Sequence, residues 1–389
     1  MKLAVLTESI PGERRVATLP DIVSQLIKVD LTVTVQSGAG THALATDAAY
    51  ALAGAAVTDV VNLSEVDVLL HVRPLSRETV GRLRPGTITF GLCSPATEPD
   101  VVRALRDGRI TSFAMELVPR ISRAQSMDAL TSQALVAGYR CVLEAATRYP
   151  RFFPLFMTAA GTVPPAKVLV LGAGVAGLQA IATAKRLGAV VSAYDVRPAS
   201  ADEVRSMGAT FVKLELESLA GAGGYAREMT AERADRQREL LTPFVHAADV
   251  LITTAAVPGR QAPVLVTRSM LDGMKPGSVI VDLAAESGGN VEGAIAGVDV
   301  QIDLPGAGVI TLVGMKDAAS AMPADASRLY AKNVLNLLLL MVKDGELVPD
   351  FDDEVVAGAC LTHDGVIRHR PTADQLDPPD PESADRSDA

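Results

Sequence analysis

Residues 167–177 read Lys-Val-Leu-Val-Leu-Gly-Ala-Gly-Val-Ala-Gly, a short apolar run followed by three glycines in the pattern G-x-G-x-x-G. The apolar run is rich in β-branched residues and predicts a buried parallel strand. From Val175 to Leu187 the apolar residues recur at helical spacing. A second strand, Val190 to Tyr194, ends at Asp195, 18 residues beyond the third glycine. The stretch therefore predicts a β-α-β unit, and the rest of the fold is organised around it.

The glycines and the acidic residue have separate roles in a dinucleotide-binding turn. Gly172 permits the tight turn, Gly174 lets the backbone approach a pyrophosphate, and Gly177 lets helix and strand pack closely. Asp195 is placed to accept hydrogen bonds from both ribose hydroxyls, which favours NAD over NADP. Such turns also occur for packing reasons alone, but the strand, helix and acid all agree with nucleotide binding. The candidate cofactor-binding residues here are Gly172, Gly174, Val175, Ala176, Gly177, Asp195, Val196 and Arg197, the last interpreted as a neighbour of the adenosine ribose.

Composition excludes several classes of protein. The 389 residues are 48% hydrophobic and carry a net charge of −10, which argues against a nucleic-acid partner. The three cysteines, Cys93, Cys141 and Cys360, show neither metal-ligand spacing nor a pairing pattern. The longest apolar run, Val334 to Val342, is far shorter than the roughly 20 residues that a membrane span needs. We therefore expect a globular α/β protein that holds no metal and does not cross a membrane.

Strand and helix patterns alternate along most of the chain. They predict two Rossmann-like α/β domains with parallel sheets, joined by long helices and with a cleft between them. Residues 1–128 and 326–370 are assigned to a discontinuous N-terminal domain, and residues 129–325 to the Rossmann domain that binds NAD. Residues 371–389 have no periodicity and are rich in Pro, Asp and Ser, so they are expected to be a disordered acidic tail.

Several segments have weaker helix or strand patterns. A short helix is expected near Leu155, and Val355 to Val366 is expected to add a strand or hairpin. The segment Gly221 to Thr230 is glycine-rich, and we expect it to be mobile and to close over bound nucleotide. The loop that begins at Thr254 follows a buried strand, where ligands lie in open α/β folds. It adds Thr254, Ala255 and Ala256 to the candidate cofactor-binding residues.

Five stretches of the chain carry a family resemblance: Pro11–Ala17, Arg120–Asp128, Gly172–Gly177, Gly224–Met229 and Lys275–Asp282 running into Gly288–Asn290. The second and fourth are much more specific than the glycine-rich third. Together they resemble the NAD(H)-binding portion of proton-translocating NAD(P) transhydrogenases, which is related to alanine dehydrogenase. The resemblance covers residues 1 to about 370.

The resemblance implies roles for the second and fourth stretches. Arg120, Gln125 and Asp128 would form a loop against the nicotinamide and are the candidate catalytic residues. Gln125 has the donor and the acceptor that hold a carboxamide in one orientation, and Arg120 and Asp128 are able to lock each other and the loop. Ser126, Met127, Gly224 and Tyr225 complete the implied cofactor contacts, Tyr225 on a mobile loop. A surface ion pair and an incidental loop aromatic are the alternative interpretations.

The first domain separates two relatives within this superfamily. Alanine dehydrogenases resemble the chain but use a lysine just before Glu-Pro and a histidine in a strand-end loop to handle the amino acid. Here the corresponding stretch is His71-Val-Arg-Pro74, and residues 87–96 contain no histidine. Arg15 alone cannot supply the proton transfers of oxidative deamination, and His71 is interpreted as structural. An amino-acid dehydrogenase and a nucleotide-binding protein without catalysis stay as alternatives.

The resemblance also implies cofactors and partners. NAD(H) would bind to this chain, and NADP(H) to a partner subunit that accepts the hydride directly. The implied activity is that of a proton-translocating NAD(P)+ transhydrogenase of the Si-Re-specific type, active only with its partner subunits. The chain is expected to be a homodimer, cytoplasmic and peripherally associated with the inner face of the membrane. Membrane-spanning and NADP(H)-binding subunits would be its partners.

Overall fold

The computed structural model describes residues 1–216, 230–256, 259–306 and 308–376. These residues divide into two compact units. The first unit comprises Met1–Gln133 and the chain from Met322 onward, and the second comprises Ala134–Ala321. The boundaries expected from the sequence, after residues 128 and 325, differ from these by a few residues.

The bounds of the regular elements follow from the described residues. The strands are β1 Lys2–Val5, β2 Thr32–Gln36, β3 Ala56–Thr58, β4 Val68–Leu70, β5 Ile88–Gly91, β6 Thr111–Ala114, β7 Phe156–Thr158, β8 Gly161–Val163, β9 Lys167–Leu171, β10 Val190–Tyr194, β11 Thr210–Phe211, β12 Val250–Thr253, β13 Val279–Asp282, β14 Asp299–Asp303, β15 Val309–Gly314, β16 Val342–Lys343, β17 Glu346–Leu347, β18 Cys360–His363 and β19 Val366–Ile367. The α-helices are α1 Pro20–Ile27, α2 Asp47–Leu52, α3 Arg77–Gly81, α4 Pro99–Asp107, α5 Ala129–Arg148, α6 Val175–Arg186, α7 Ser200–Ser206, α8 Ala231–Ala247, α9 Arg268–Leu271, α10 Pro323–Leu339, α11 Glu354–Ala359 and α12 Arg370–Leu376. Short 3-10 helices lie at Thr41–Ala43, Leu63–Glu65, Met115–Leu117, Ser122–Met127 and Ala285–Ser287.

The first unit is built on an eight-stranded sheet in the order β19-β18-β6-β5-β4-β1-β2-β3. From β6 to β3 all neighbours are parallel, with Leu3 opposite both Val33 and Val68. The hairpin β18–β19 adds two antiparallel strands at the edge beside β6. The core includes Phe90 stacked on Phe113 at 5.1 Å and the fully buried Tyr330. The C-terminal part of the chain therefore completes both the sheet and the core of this unit.

The second unit contains a seven-stranded sheet in the order β11-β10-β9-β12-β13-β15-β14. Strand β9 lies near the middle, where Val170 is opposite Ala193 on one side and Ile252 on the other. The chain runs from β9 outward through β10 and β11, and then returns to the opposite side of β9 with β12. This reversal makes the carboxyl end of β9 the topological switch point, the position at which open α/β sheets bind ligands.

The α/β class with two domains and largely parallel sheets is confirmed, with corrections at the edges. The sheets are not wholly parallel, because β14, β18 and β19 pair antiparallel with their neighbours. The expected helix near Leu155 is wrong. The chain forms the hairpin β7–β8 there, because Gly161 at φ +132° makes a turn that a helix does not contain.

Two expectations for the C-terminal region also need correction. Helix α11 replaces the first part of the strand expected from Val355, because the Asp353 carboxylate caps the backbone N–H groups of Val355 and Val356. Helix α12 occupies the first residues of the expected disordered tail, and it packs inward through the buried Thr372. Residues 377–389 lie outside the described residues.

Among the described residues, no helix combines the length and the apolar character needed to cross a membrane.

Candidate cofactor-binding site

The turn between β9 and α6 uses its three glycines for different reasons. Gly172 has a φ of +98°, and a Cβ there would lie 2.7 Å from Thr254 Oγ1. A Cβ on Gly177 would overlap the Gly172 carbonyl oxygen, so that helix and strand approach as closely as glycine allows. Around a Cβ on Gly174, the only contact from a distant part of the described chain would be Arg197 Nη2, at 4.0 Å. Glycine is therefore required at positions 172 and 177 by the local packing of the protein, whereas Gly174 borders space that the described residues leave open.

The amino end of α6 is suited to an anion. Gly174 is its N-cap residue and offers no side chain, and no acidic side chain lies in the first turn. Val175 and Ala176 therefore present backbone N–H groups at the positive end of a helix of 12 residues. Together with the space beside Gly174, this arrangement fits a phosphate group.

Asp195 follows β10 and lies beside the same turn. Its Oδ2 accepts a hydrogen bond from the Ala173 N–H at 2.7 Å, which ties the acid to the glycine-rich turn. Its Oδ1 accepts from the Arg197 backbone N–H at 2.9 Å. The Arg197 side chain also donates from Nε to Oδ1 and from Nη2 to Oδ2, both at 2.9 Å. Arg197 is thus bound to the very carboxylate that was expected to hold a ribose, and Val196 between them is half-buried.

The loop after β12 meets the glycine-rich turn directly. Thr254 Oγ1 donates a hydrogen bond of 3.0 Å to the Gly172 carbonyl oxygen. Ala255 is half-buried, and Ala256 is exposed. The second unit therefore brings together the candidate residues from Gly172 to Gly177, from Asp195 to Arg197, and from Thr254 to Ala256.

Asn290 holds this loop in place. Its Oδ1 accepts from the Ala255 N–H at 2.9 Å, and its Nδ2 donates to the carbonyl oxygens of Ala255 and Pro263 at 2.7 and 2.8 Å. Two bonds from one buried amide fix the orientation of the Ala255 backbone, and a third holds Pro263. Asn290 belongs to a stretch used for the family resemblance, but the sequence assigned it no role.

Asp282 organises the loop that carries Asn290. Its buried carboxylate accepts hydrogen bonds from the backbone N–H groups of Ala284, Asn290 and Val291 at 2.8–3.0 Å, and from Thr253 Oγ1 at 3.0 Å. Burial raises the pKa of Asp282, and the hydrogen bonds act in the opposite direction. An acid at the end of a buried strand, followed eight residues later by asparagine, is the sequence signal of this arrangement. It contributed to the family resemblance, but the sequence assigned Asp282 no role.

The candidate catalytic residues lie in the first unit, on the 3-10 helix Ser122–Met127 and its flanks. Gln125 and Ser126 are exposed, whereas Met127 packs its side chain into the core. The Ser126 carbonyl oxygen accepts from Asn333 Nδ2 at 2.8 Å and from Asn336 Nδ2 at 3.0 Å. This segment is therefore anchored to α10 through its backbone, and the Gln125 side chain is left to face outward.

Arg123 supplies a second anchor for the same segment. Its guanidinium donates to both carboxylate oxygens of Asp353, at 3.0 and 2.8 Å. The hydrogen bonds from Arg123 are the largest cause that lowers the pKa of Asp353, to about 2. The pair therefore stays charged throughout the neutral range and connects the loop to the start of α11.

Asp128 and Arg120 flank the segment. The Asp128 carboxylate accepts from the Thr131 N–H at 2.8 Å and from Thr131 Oγ1 at 2.6 Å, which makes it the N-cap of α5. The sequence predicted a locking role for Asp128 but not this one. Arg120 is exposed on the other side of the segment.

Arg15 and His71, which bear on the amino-acid dehydrogenase alternative, are both buried in the first unit. Arg15 donates to both carboxylate oxygens of Glu13 and, from Nη1, to Gln133 Oε1 at 2.8 Å. His71 Nδ1 donates to the Arg73 carbonyl oxygen at 2.7 Å, and burial lowers its pKa to about 4. His71 is therefore uncharged at neutral pH, as a structural histidine would be.

Two candidate residues cannot be placed. Gly224 and Tyr225, together with most of the glycine-rich segment from Gly221 to Thr230, lie outside the described residues. The expectation that this segment closes over nucleotide stays a prediction.

Fold and site together define a two-domain α/β protein with a turn shaped for a dinucleotide. Comparison with known proteins agrees with this class. Residues 4–137 match the family model described as alanine dehydrogenase/PNT, N-terminal domain, and residues 141–370 match alanine dehydrogenase/PNT, C-terminal domain. The chain belongs to the alanine dehydrogenase/PNT family.

Individual relatives are similar over most of their length. A protein from Rhodospirillum rubrum, named as the first of the parts that make up an NAD(P) transhydrogenase subunit alpha, is 47% identical over 385 residues, covering 95% of this chain and 98% of that protein. An alanine dehydrogenase from Mycobacterium tuberculosis is 32% identical over 302 residues, covering 76% of this chain and 75% of that protein. The crystal structure of a transhydrogenase from Sinorhizobium meliloti superposes with a TM-score of 0.83 at 43% identity, covering 95% of this chain and all of that one.

Proposed function

We propose that this chain is the NAD(H)-binding subunit of a proton-translocating NAD(P) transhydrogenase. It would take part in direct hydride transfer between NADH and an NADP+ held on a partner subunit, with proton translocation supplied by membrane partners. The observation that carries the proposal is the space that the described residues leave beside Gly174, at the amino end of α6 and next to Asp195. The higher identity to a transhydrogenase subunit than to an alanine dehydrogenase, 47% against 32%, supports the choice between the two relatives.

The residues of this chain would bind and orient the cofactor. Backbone N–H groups of Val175 and Ala176 would hold the pyrophosphate, and Asp195 the adenosine ribose. NADH, when bound, supplies the hydride. Gln125 would fix the rotation of the carboxamide, because it offers one donor and one acceptor on a backbone anchored to α10. Positioning is the main contribution expected of the protein, since hydride passes between two rings without a protein nucleophile.

Neither His71 nor Arg15 of the first unit is suited to the proton transfers of oxidative deamination. Deamination needs a group that exchanges protons near neutral pH. His71 has a pKa of about 4 because of burial, and the Arg15 guanidinium is already bound by Glu13 and Gln133. Transhydrogenation requires no proton transfer to a substrate oxygen or nitrogen, so it is compatible with both residues as they stand.

Reconstitution tests the proposed activity. The purified chain is added to membranes that carry the transhydrogenase partner subunits, and reduction of an NADP+ analogue by NADH is followed. We expect activity only when both are present, and no NADH formation from NAD+ and L-alanine by the chain alone. NADH formation with L-alanine would contradict the proposal and favour the amino-acid dehydrogenase.

Asp195 is expected to set the preference for NAD(H). Asp195→Ala should weaken NADH binding by about 1–3 kcal/mol, because the ribose hydroxyls lose a partly buried acceptor. Calorimetric titration of both proteins with NADH and NADPH measures the change. Equal affinity of the wild-type chain for NADH and NADPH would show that Asp195 does not select.

The proposal includes a homodimer that associates with the inner face of the membrane through its partner subunits. Exposed apolar side chains in the second unit support self-association. Around the hairpin β7–β8, Phe152, Leu155, Phe156 and Met157 are 55, 51, 42 and 76% exposed. A two-stranded hairpin is marginally stable in water unless its apolar face is covered, and a second copy of the chain is the proposed cover.

A single substitution should disrupt this dimer. Met157→Glu places a charge on the apolar hairpin, so we expect sedimentation equilibrium at micromolar concentration to shift from dimer to monomer. Met207→Glu is the matched control, since Met207 is 43% exposed on a different element and should leave the dimer intact. A wild-type chain that sediments only at 40.6 kDa would reject the homodimer.

A further inference from the structure

The Asp195 carboxylate is saturated with hydrogen bonds in the structure. A carboxylate offers about four acceptor positions. The backbone N–H groups of Ala173 and Arg197 occupy two of them, and Nε and Nη2 of the Arg197 side chain occupy the other two. The pair is largely shielded from water, with side-chain exposures of 8% for Asp195 and 26% for Arg197. A ribose can therefore bind Asp195 in the expected way only if it replaces the guanidinium.

The Arg197 guanidinium and a ribose each offer the Asp195 carboxylate two adjacent hydrogen-bond donors. Nε–H and Nη2–H form two parallel donors that match the two oxygens of a carboxylate. The 2′- and 3′-hydroxyls of a ribose are also two adjacent donors. Since the two backbone bonds to Asp195 can remain, the exchange involves the side chain of Arg197 alone.

Arg197 also lies near the proposed pyrophosphate position, and its charge affects how the site would receive a 2′-phosphate. Its Nη2 lies 4.0 Å from the position of a Cβ at Gly174, the residue that borders the proposed pyrophosphate position. While paired, Arg197 neutralises the charge with which Asp195 would repel a 2′-phosphate. Once displaced, it remains close enough to pair with such a phosphate. Both effects reduce discrimination against NADPH.

We propose that the Arg197 side chain is an internal ligand of the adenosine-ribose subsite, displaced by the ribose hydroxyls when NAD(H) binds. It therefore sets the affinity for the ribose and limits selectivity against a 2′-phosphate. This inference rests on the proposed NAD(H) site and adds a specificity-determining residue to it. It requires no change in the backbone of the turn.

Paired nucleotides isolate the ribose contribution. The full chain, R197M and R197K are titrated calorimetrically with ADP and with 2′-deoxy-ADP, so that the pyrophosphate contribution cancels in the ratio of the two affinities. Methionine keeps the apolar stem of arginine without its donors. We expect the affinity for ADP, divided by that for 2′-deoxy-ADP, to rise about three- to tenfold in R197M, or by about 0.7–1.4 kcal/mol. The reason is that the 2′-hydroxyl no longer competes with the guanidinium. A purely structural role would lower both affinities equally and leave the ratio unchanged.

The variant R197K keeps the positive charge of Arg197 but lacks its two parallel donors. R197K should raise the ratio as R197M does, because one ammonium cannot match both oxygens. It should retain more NADPH affinity than R197M, which is expected to bind NADPH at least about threefold more weakly than wild type, or by about 0.7 kcal/mol. Thermal unfolding of both variants checks that they are folded.

The outcomes separate the two proposals. An unchanged or smaller ratio in R197M, with NADH still bound by the wild-type chain, would overturn the role of Arg197 and leave the proposed function standing. A ratio in R197K equal to that of wild type would overturn the role of the paired donors. A wild-type chain that binds neither ADP nor NADH would overturn both proposals.

Discussion

Gln125→Asn should slow hydride exchange in the reconstituted complex by roughly 10²-fold and leave NADH affinity almost unchanged. Most of the binding free energy is expected at the pyrophosphate and the ribose, in the second unit. The Gln125 side chain instead extends from a segment whose backbone is held by Asn333 and Asn336. Shortening it by one methylene withdraws the amide from the carboxamide, and the anchored backbone cannot follow.

The measurement compares two quantities on one preparation. NADH affinity is obtained by calorimetry, and the rate is obtained from reduction of an NADP+ analogue with partner membranes. Ser122→Ala is a suitable control, because Ser122 is exposed on the same 3-10 helix as Gln125 and is not among the candidate cofactor contacts. If Gln125→Asn lost rate and affinity in equal proportion, or kept the full rate, the orienting role would be wrong.

Alanine substitutions at Gly177 and Gly174 should have different effects: the first should lower the stability of the chain, and the second should weaken NADH binding. Gly177→Ala places a methyl group onto the Gly172 carbonyl oxygen, and we expect the free chain to lose roughly 3 kcal/mol of unfolding free energy, as in an overpacked core. Gly174→Ala brings its methyl group no closer than 4.0 Å to a distant described residue, Arg197, and has a φ of −78°, which alanine adopts readily. Its unfolding free energy should fall by no more than about 1 kcal/mol, the cost of alanine in place of glycine at an N-cap, but its methyl group occupies the proposed pyrophosphate position.

Denaturant unfolding and NADH titration distinguish the two variants. Gly174→Ala is expected to unfold within about 1 kcal/mol of wild type. It should bind NADH at least about 100-fold more weakly, or by about 2.7 kcal/mol. Gly177→Ala is expected to shift the unfolding midpoint whether or not NADH is present. Normal NADH binding by a folded Gly174→Ala chain would place the nucleotide elsewhere.

The local features that sequence analysis predicted well are those dictated by the backbone. The glycine-rich turn was readable because Gly172 needs a positive φ and Gly177 needs the absence of a Cβ, and both requirements act within a few residues. The same holds for the apolar strand β9 and for the helix that follows it. The alternation of such segments was sufficient to predict the α/β class and two domains.

What the sequence did not reveal depends on contacts between distant residues. Asn290 meets Ala255 across 35 positions, and Arg123 meets Asp353 across 230. Neither pair leaves a periodic signal, because each is defined only after the strands have been assembled. The hairpin β7–β8 was missed for a different reason, since a short apolar segment is compatible with either helix or strand.

The pairing of Arg197 with Asp195 was the most consequential omission. The sequence showed an acid and a base two residues apart, but their side chains could equally have faced separate ligands. The structure shows that the Arg197 guanidinium donates hydrogen bonds to both carboxylate oxygens of Asp195. How Arg120 and Asp128 contribute to the nicotinamide site stays a prediction.

The anchoring of Ser126 by Asn333 has a consequence for the order of synthesis. These residues are separated by 207 positions, and at ribosomal rates of about 5–20 residues per second the interval between them is roughly 10–40 s. The second unit, including its glycine-rich turn, leaves the ribosome entirely within that interval. A nascent chain can therefore form its nucleotide-binding turn well before the Gln125 segment acquires its anchor. Chains released early by premature termination near residue 330 would retain the turn and the Gln125 segment, but they would lack Asn333 and Asn336, which anchor that segment.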